Sequence, residues 1–485
     1  MTAQLIYSRV PTATLHCGDG TLGLGIRILQ LTLFATLLIG ASPVAAQTSP
    51  AGAADSSSSA PAPKPAPDAA GDPSERWAVH VQSTLVVQAH PAFRSPYRGA
   101  NSLDPAARGD ETFDATLFAG LRLGPRTEVW INPEIDQGFG ISNTLGVAAF
   151  PSGEAYKVGA STPYLRLQRL FVRHSIDLNG DVSPVDADLN QLKGQQASDR
   201  VVITVGKFSV GDVFDTNRYA HDPRGDFLNW ALVDTGSFDY AADAWGYSIG
   251  ASAEWYTGAW TLRAGLFDLS LVPNSKRLDP TGHQFQTIAE VERRFGATDN
   301  PTRVKLTGFL TRGRMGRFAD AIALAQSTGA VADTGAVRDY ASRVGVGLSV
   351  EHPLSATLGL FSRLGWADGS KEPYEFADID RTFALGLSSS GKAWGRPDDT
   401  AAVAGVIDAI SKVHQQYLAA GGLGILIGDG ALSRPAAESV LEAYYTAALS
   451  KHLKLTGDYQ FVANPAYNRD RGPVSVVALR LHLQY

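Results

Sequence analysis

The chain has 485 residues, with 49 glycines, a single cysteine and a formal net charge of −6. This mild acidity argues against nucleic acid or another polyanion as the partner. No apolar stretch reaches the roughly 18 residues of a membrane-spanning helix, so no transmembrane helix is predicted.

An export signal is predicted at the amino terminus. The apolar run LTLFATLLI at residues 31–39 follows Arg27 and precedes Val44, Ala45 and Ala46. This arrangement is typical of a secretory signal peptide, here residues 1–46, and the run is too short to cross a bilayer as a helix. Cys17 leaves with the signal, which excludes disulfides, thiolate metal sites and a cysteine nucleophile from the mature chain.

The segment that follows, residues 47–76, consists mainly of Pro, Ala, Ser and Gly and has almost nothing to bury. Such a segment cannot offset its own ordering entropy, so we predict a disordered periplasmic leader. Residues 77–485 remain for one large folded domain.

Strands with one apolar and one polar face recur through this domain. At its end Leu479 and Leu481 alternate with Arg480 and His482, and the chain finishes on Tyr485. A soluble β-sandwich shares this period of two, but the export signal, the terminal aromatic residue and the missing cysteines favour a transmembrane antiparallel β-barrel. Strands of about 9–11 residues allow roughly 14 to 18 of them. The same alternation is found at residues 79–88, 116–123, 260–266, 303–310, 344–350 and 453–461.

One stretch departs from the alternation. Within residues 401–420, Val406, Ile410, Val413 and Tyr417 have helical spacing, which predicts a strand that runs into a loop helix. The glycines of the following GGLGILIGDG lack the spacing of a nucleotide-binding loop.

Several longer blocks resemble the carbohydrate-selective porins of proteobacteria. The resemblance covers nearly all of the domain in the family's order, and it implies an outer-membrane barrel of about 16 strands for passive diffusion of sugars such as glucose. The blocks are WINPEIDQGFG (130–140), FPSGEAYKVG (150–159), VGKFSVGDVFDTNRYAHDPRGDFLNWAL (205–232), DYAADAWGYSIGASAEWY (239–256), AGLFDLSLVPNS (264–275), GRMG (313–316) and NPAYNRDRGPV (464–474).

Two groups of polar residues are candidates for a sugar path, because sugar hydroxyls need charged or amide partners and the C–H faces of a sugar pack on aromatic rings. The first group belongs to a predicted loop that folds into the lumen and narrows it. The alternative is that its charges form a structural ion-pair network. The first group is Lys207, Asp215, Asn217, Arg218, Tyr219, Arg224, Asp226 and Trp230, and the second is Glu134, Asp136, Glu154 and Lys157.

The other large aromatic side chains are assigned to girdles at the two membrane interfaces. Only Tyr219 and Trp230 are predicted to stack on a sugar. The girdle residues are Trp130, Trp245, Trp255, Trp260, Trp394, Tyr444, Tyr445 and Tyr459.

No catalytic residue, metal site or cofactor is predicted, because the histidines are scattered and neither GxSxG nor HExxH occurs. The predicted function is weak-binding diffusion of monosaccharides across the bacterial outer membrane. The alternative is a general porin, or one for a polyol or organic acid. Expected partners are the sugar, outer-membrane lipid and the barrel-assembly machinery, which reads the strand ending at Tyr485. A monomer and a homotrimer both stay open.

Overall fold

The computed structural model describes residues 74–155, 159–296 and 299–485. The predicted signal peptide and nearly all of the predicted leader lie outside the described residues. The described strands form one closed antiparallel barrel in which each strand pairs with its sequence neighbours. They are β1 (Trp77–His90), β2 (Arg108–Gly124), β3 (Thr127–Gly138), β4 (Ala160–Val185), β5 (Gly194–Phe208), β6 (Ser248–Thr257), β7 (Trp260–Asp268), β8 (Phe285–Phe295), β9 (Thr302–Met315), β10 (Asp339–Pro353), β11 (Leu358–Ala367), β12 (Arg381–Ser390), β13 (Thr400–Ala409), β14 (Glu438–Ala448), β15 (Leu453–Ala463) and β16 (Val474–Gln484).

Pairing of the first strand with the last closes the barrel. Leu85 of β1 faces Leu481 of β16, and Gln82 faces Gln484. Closure pairs the strand edges that an open sheet would expose, which a lipid environment requires. The predicted transmembrane antiparallel barrel is confirmed, and its strand number is the one that the family resemblance implied.

The alternation of side chains separates a lipid-facing surface from a polar lumen. Leu479 and Leu481 are 59% and 39% exposed, whereas Arg480 between them is 1% exposed. In β14, Leu441 is 50% exposed and its neighbour Glu442 is fully buried. Successive strand residues point to opposite faces, so the pattern read from the sequence is reproduced strand by strand.

The two ends of the barrel differ in the length of their connections. Turns such as 125–126 and 258–259 lie at the end that holds the chain terminus, whereas loops such as 209–247 and 410–437 lie at the other end. In outer-membrane barrels the short turns are periplasmic and the long loops extracellular. The two ends are named accordingly below.

Among the described residues, three α-helices lie in the long loops. They are α1 (Trp230–Val233), α2 (Phe318–Thr328) and α3 (Lys412–Ala419). The strand and loop helix predicted for residues 401–420 are confirmed, since β13 ends just before α3, whose first turn is capped by Ser411. In the part of the chain that the structure describes, no helix has the length and apolar character needed to cross a membrane.

The prediction of a lumen-folded loop within residues 207–230 is confirmed, and the loop is longer than predicted: residues 209–247, between β5 and β6, pack inside the barrel. Phe227 of this loop packs against Phe361 of β11 and Tyr444 of β14, with ring centroids 5.6 Å and 5.0 Å away. On the other side of the loop, Phe214 meets Phe267 of β7 edge to face at 6.2 Å. The loop therefore contacts widely separated strands of the wall.

The girdle prediction is wrong for Trp130, Trp245 and Tyr444, which are all buried. Trp130 points into the lumen because its neighbour Ile131, 42% exposed, takes the outward position. Gly120 on the paired strand leaves room for the indole, since an added Cβ would lie 2.5 Å from the ring. The outward-facing members, with exposed fractions of 41% to 45%, are Trp255, Trp260, Trp394, Tyr445 and Tyr459.

Candidate solute path in the barrel lumen

Glutamates of the wall fix the lumen loop through its backbone. Glu442 of β14 accepts hydrogen bonds from the N–H groups of Leu228 (2.6 Å) and Asn229 (2.9 Å). The Asn229 side chain caps α1 by accepting from the Ala231 N–H, and it donates to Gln460 of β15 at 3.2 Å. Because a carboxylate accepts several charge-assisted bonds at once, one buried glutamate can hold the start of α1 against the wall.

Four of the predicted loop residues are used in packing and pairing. Asp215 accepts hydrogen bonds from the backbone and hydroxyl of Thr235 at 2.5 Å and 2.8 Å. Asn217 lies beside Ser349, and Arg218 pairs with Glu351 at 3.0 Å. The Tyr219 ring fills the space over Gly359 near the periplasmic end of β11. All four side chains thus contact the barrel wall or other residues of the loop.

The side chains of Lys207 and Asp226 are also bound to residues of the loop. Lys207 is in register with Leu170 and Ile249, which are 45% and 51% exposed, so its position belongs to the outward face. Its amine bends back to Asp243 at 3.2 Å. Asp226 accepts hydrogen bonds from the backbone of His221 and Asp222 and thereby closes a turn of the loop.

Arg224 joins the two groups that the sequence predicted separately. Its guanidinium lies 3.0 Å from Glu154, 3.5 Å from Glu134 and 3.7 Å from Asp114. The loop thus supplies one cation to a set of wall and loop carboxylates. Burial raises the pKa of the Glu154 carboxyl, and the Arg224 guanidinium opposes that rise only in part.

Gln168 of β4 connects the remaining members of this cluster. Its amide donates to Glu134 at 3.1 Å and to Asp136 at 3.4 Å. Thr116 of β2 also donates to Glu134, at 2.5 Å. Lys157, the last predicted member, lies outside the described residues.

A cavity of about 580 Å³ runs between the lumen loop and the wall formed by β4 and β5. Its lining extends from the periplasmic turn at 188–190 to the extracellular part of the loop at 245–247. Of the residues predicted for the sugar path, Glu154, Arg224 and Trp230 line this cavity. The main lining residues that the prediction missed are Arg169, Arg173, Asp212, Thr216, His221, Asp234, Tyr240, Trp245 and Tyr247.

The lining of this cavity contains both charged pairs and aromatic rings. Arg169 of β4 forms a two-pronged pair with Asp212, at 2.8 Å and 2.7 Å, and lies 5.0 Å from the Tyr247 ring. Trp230 stacks on Phe150 at 5.0 Å with an interplanar angle of 17°. Hydrogen-bonding groups of both signs beside aromatic faces suit a neutral, polyhydroxylated solute.

Two signals in the sequence could have pointed to the missed residues. Asp212 lies in the block VGKFSVGD, and Tyr247 and Trp245 lie in DYAADAWGY, both of which carry the family resemblance. Arg169 gives no comparable signal. It lies where the register between β3 and β4 shifts, and that irregularity is visible only in the structure.

The closed barrel, its apolar outer surface and its polar lumen narrowed by an inserted loop define the class of outer-membrane porins. The family follows from the sequence match. Residues 100–485 match the model of the carbohydrate-selective porin, OprB family, and the chain belongs to that family. Such proteins are channels of the Gram-negative outer membrane rather than enzymes.

A solved porin structure shares the fold. The structure is similar to the high-pH structure of OprB from Pseudomonas putida, with a TM-score of 0.63 and 13% identity over 84% of this chain and 94% of that chain. An anion-selective porin from Comamonas acidovorans gives a TM-score of 0.47 and 11% identity, covering 84% of this chain and 100% of that one. No curated protein matches the sequence.

Proposed function

We propose that the protein passes monosaccharides such as glucose through the cavity beside β4 and β5 by passive diffusion with weak binding. The observation that carries this proposal is the lining: a cavity of about 580 Å³ in which Arg224 and the Arg169–Asp212 pair lie among Trp230, Tyr240 and Tyr247. The volume falls within the range of about 300–1,000 Å³ found for small-molecule sites.

Weak binding is the expected regime for such a path. Arg169 and Arg224 of the lining are already paired with Asp212 and Glu154, so a sugar gains from these groups only the difference between its hydrogen bonds and those it replaces. A channel conducts when binding is favourable enough for entry and weak enough for release.

The test is single-channel conductance of the refolded chain in planar bilayers, titrated with glucose, maltose and a non-sugar solute of equal size. We expect saturable block of the ion current by glucose. Arg224→Ala should raise the half-blocking concentration about tenfold, because a charged hydrogen-bonding group of the lining is lost.

Arg218→Ala is the matched control, since this arginine belongs to the same loop but pairs with Glu351 outside the cavity lining. Its half-blocking concentration should stay that of the wild type. Open channels that no sugar blocks would overturn the sugar proposal and leave a general porin, or one for a polyol or organic acid.

We further propose that residues 1–46 are removed on export, that residues 47–76 form a periplasmic leader, and that the assembly machinery recognises β16 together with Tyr485. Support comes from the apolar run at 31–39 and from the exposed Tyr485, which is 73% exposed at the end of the closing strand. Mass spectrometry of the protein from outer membranes tests the first point, with Gln47 as the expected first residue.

A further inference from the structure

The aspartates of the lumen loop differ in the hydrogen-bond donors and cations that their carboxylates contact. Asp215 accepts from Thr235, Asp239 accepts from the backbone of Tyr374 at 2.5 Å, and Asp243 pairs with Arg166 at 3.3 Å. Each of these buried carboxylates therefore has donors supplied by the protein. A buried carboxylate without donors is costly, which is why such pairing is the rule.

Asp234 departs from this rule. It follows α1 directly, is 7% exposed and lines the cavity. Within residues 74–155, 159–296 and 299–485, its carboxylate has neither a hydrogen-bond donor nor a salt-bridge partner. The carboxylate is thus held inside the barrel, and its two oxygens are free to accept hydrogen bonds from a ligand.

The neighbours of Asp234 in the cavity lining have aromatic rings, and two of these rings carry nitrogen atoms without a hydrogen-bond partner among the described residues. Trp230 is 6% exposed, and its indole N–H has no hydrogen-bond acceptor among the described residues. Tyr240 packs 5.8 Å from Trp230, and both rings line the same cavity. The Nδ1 atom of His221, another lining residue, is likewise without a partner in the described part of the chain.

We infer that Asp234, Trp230 and Tyr240 form a binding subsite for a neutral sugar, in which the Asp234 carboxylate accepts hydrogen bonds from two sugar hydroxyls. The hydroxyl groups of a sugar can donate the hydrogen bonds that this carboxylate lacks within the described residues. The C–H face of the sugar can pack against the rings of Trp230 and Tyr240. The inference rests on the proposed function and adds to it the place in the cavity where the sugar is bound.

The raised pKa of Asp234 gives the subsite an expected pH dependence. Burial raises the pKa of Asp234 to about 7, Asp215 adds to the rise, and His221 and Arg363 oppose it. Tyr240 also faces the carboxylate. Asp234 is ionised, and the stronger acceptor, above this pKa, so glucose binding should weaken as the pH falls through about 7.

The experiment is glucose block of the refolded full chain in planar bilayers between pH 5.5 and pH 8.5. We expect the wild-type half-blocking concentration to rise several-fold as the pH falls. Asp234→Asn should raise it about tenfold at high pH and remove the pH dependence, because the amide offers one acceptor and no charge. Trp230→Phe should give a smaller loss and keep the pH dependence.

Asp320→Asn is the matched control, since Asp320 is an exposed aspartate on α2 outside the cavity lining. If glucose blocks the wild type and Asp234→Asn equally, the subsite is wrong while the sugar channel stands. If no sugar blocks the wild type, the sugar function itself fails. Should Asp234→Asn not fold, as judged by heat-modifiable migration in gels, a pH-independent wild-type block would still overturn the subsite.

Discussion

Single carboxylates of the lumen hold several backbone N–H groups of the inserted loops. Glu438 of β14 accepts from Ala148 (3.1 Å), Ala149 (2.7 Å) and Ala466 (2.6 Å). Asp239 accepts from consecutive N–H groups that begin at Tyr374. Irregular backbone inside a barrel has no sheet partner of its own, and these acidic side chains supply the missing acceptors.

Arg343 gives a prediction at this scale. It is 1% exposed and pairs with Asp239 at 3.2 Å and Asp380 at 3.4 Å. Arg343→Ala should lower the free energy of unfolding by about 3–5 kcal/mol, because two buried carboxylates lose the guanidinium that they share. Urea unfolding in lipid vesicles measures this. The control Arg396→Ala removes an exposed arginine that pairs with Asp399 in a periplasmic turn, and it should leave the midpoint nearly unchanged. Equal midpoints for both variants would contradict the assignment.

At the scale of the element, the lumen loop is a separate layer attached to the wall at a few points. One attachment is Glu442 with the N–H groups of Leu228 and Asn229, and another is Arg480 of β16, which donates to the carbonyls of Pro223 (2.5 Å) and Asp226 (2.8 Å). The loop sets the width of the cavity, so its attachment should govern conductance.

Glu442→Gln tests this attachment. The amide replaces one accepting oxygen by a donor that faces backbone N–H groups, which should cost about 2 kcal/mol and loosen the loop. We expect larger and noisier single-channel currents than in the wild type. Glu254→Gln, which alters a wall carboxylate bonded to Tyr256 and Arg263, is the matched control and should keep the wild-type current. An unaltered current in Glu442→Gln would show that the loop is fixed by other contacts.

At the scale of the whole molecule, the closed barrel sorts its side chains between lipid and lumen. Leu441 lies within β14 and is 50% exposed, and Leu449 lies in the periplasmic turn after β14 and is 56% exposed. The two leucines are equally apolar and similarly exposed, so their depth in the membrane is what distinguishes them.

Leu441→Arg should therefore cost about 2–4 kcal/mol of folding free energy, and Leu449→Arg only about 0–1 kcal/mol, because a charge is expensive within the apolar band and cheap at its edge. Equilibrium unfolding in vesicles of phosphatidylcholine compares the two variants directly. A larger cost for Leu449→Arg would mean that the apolar band lies elsewhere on the barrel.

Much of the barrel could be read from the sequence because its rules are local. The period of two in β16 and the strand-to-helix change at residues 400–419 depend on near neighbours in the chain. The girdle prediction failed at Trp130 because residue type alone does not determine whether a strand side chain faces the lumen or the lipid. An indole is as acceptable in the lumen, over Gly120, as at the lipid interface.

The sequence by itself determined the class of fold, the order of the strands and the existence of a charged loop after β5, since period, length and turn residues are properties of contiguous segments. Only the tertiary structure decided the role of each loop residue. Arg218 and Arg224 are six residues apart, yet one faces Glu351 and the other Glu154 in the cavity. The reason is physical: which wall a loop side chain meets depends on strands far away in the chain, and those are brought together only when the barrel closes.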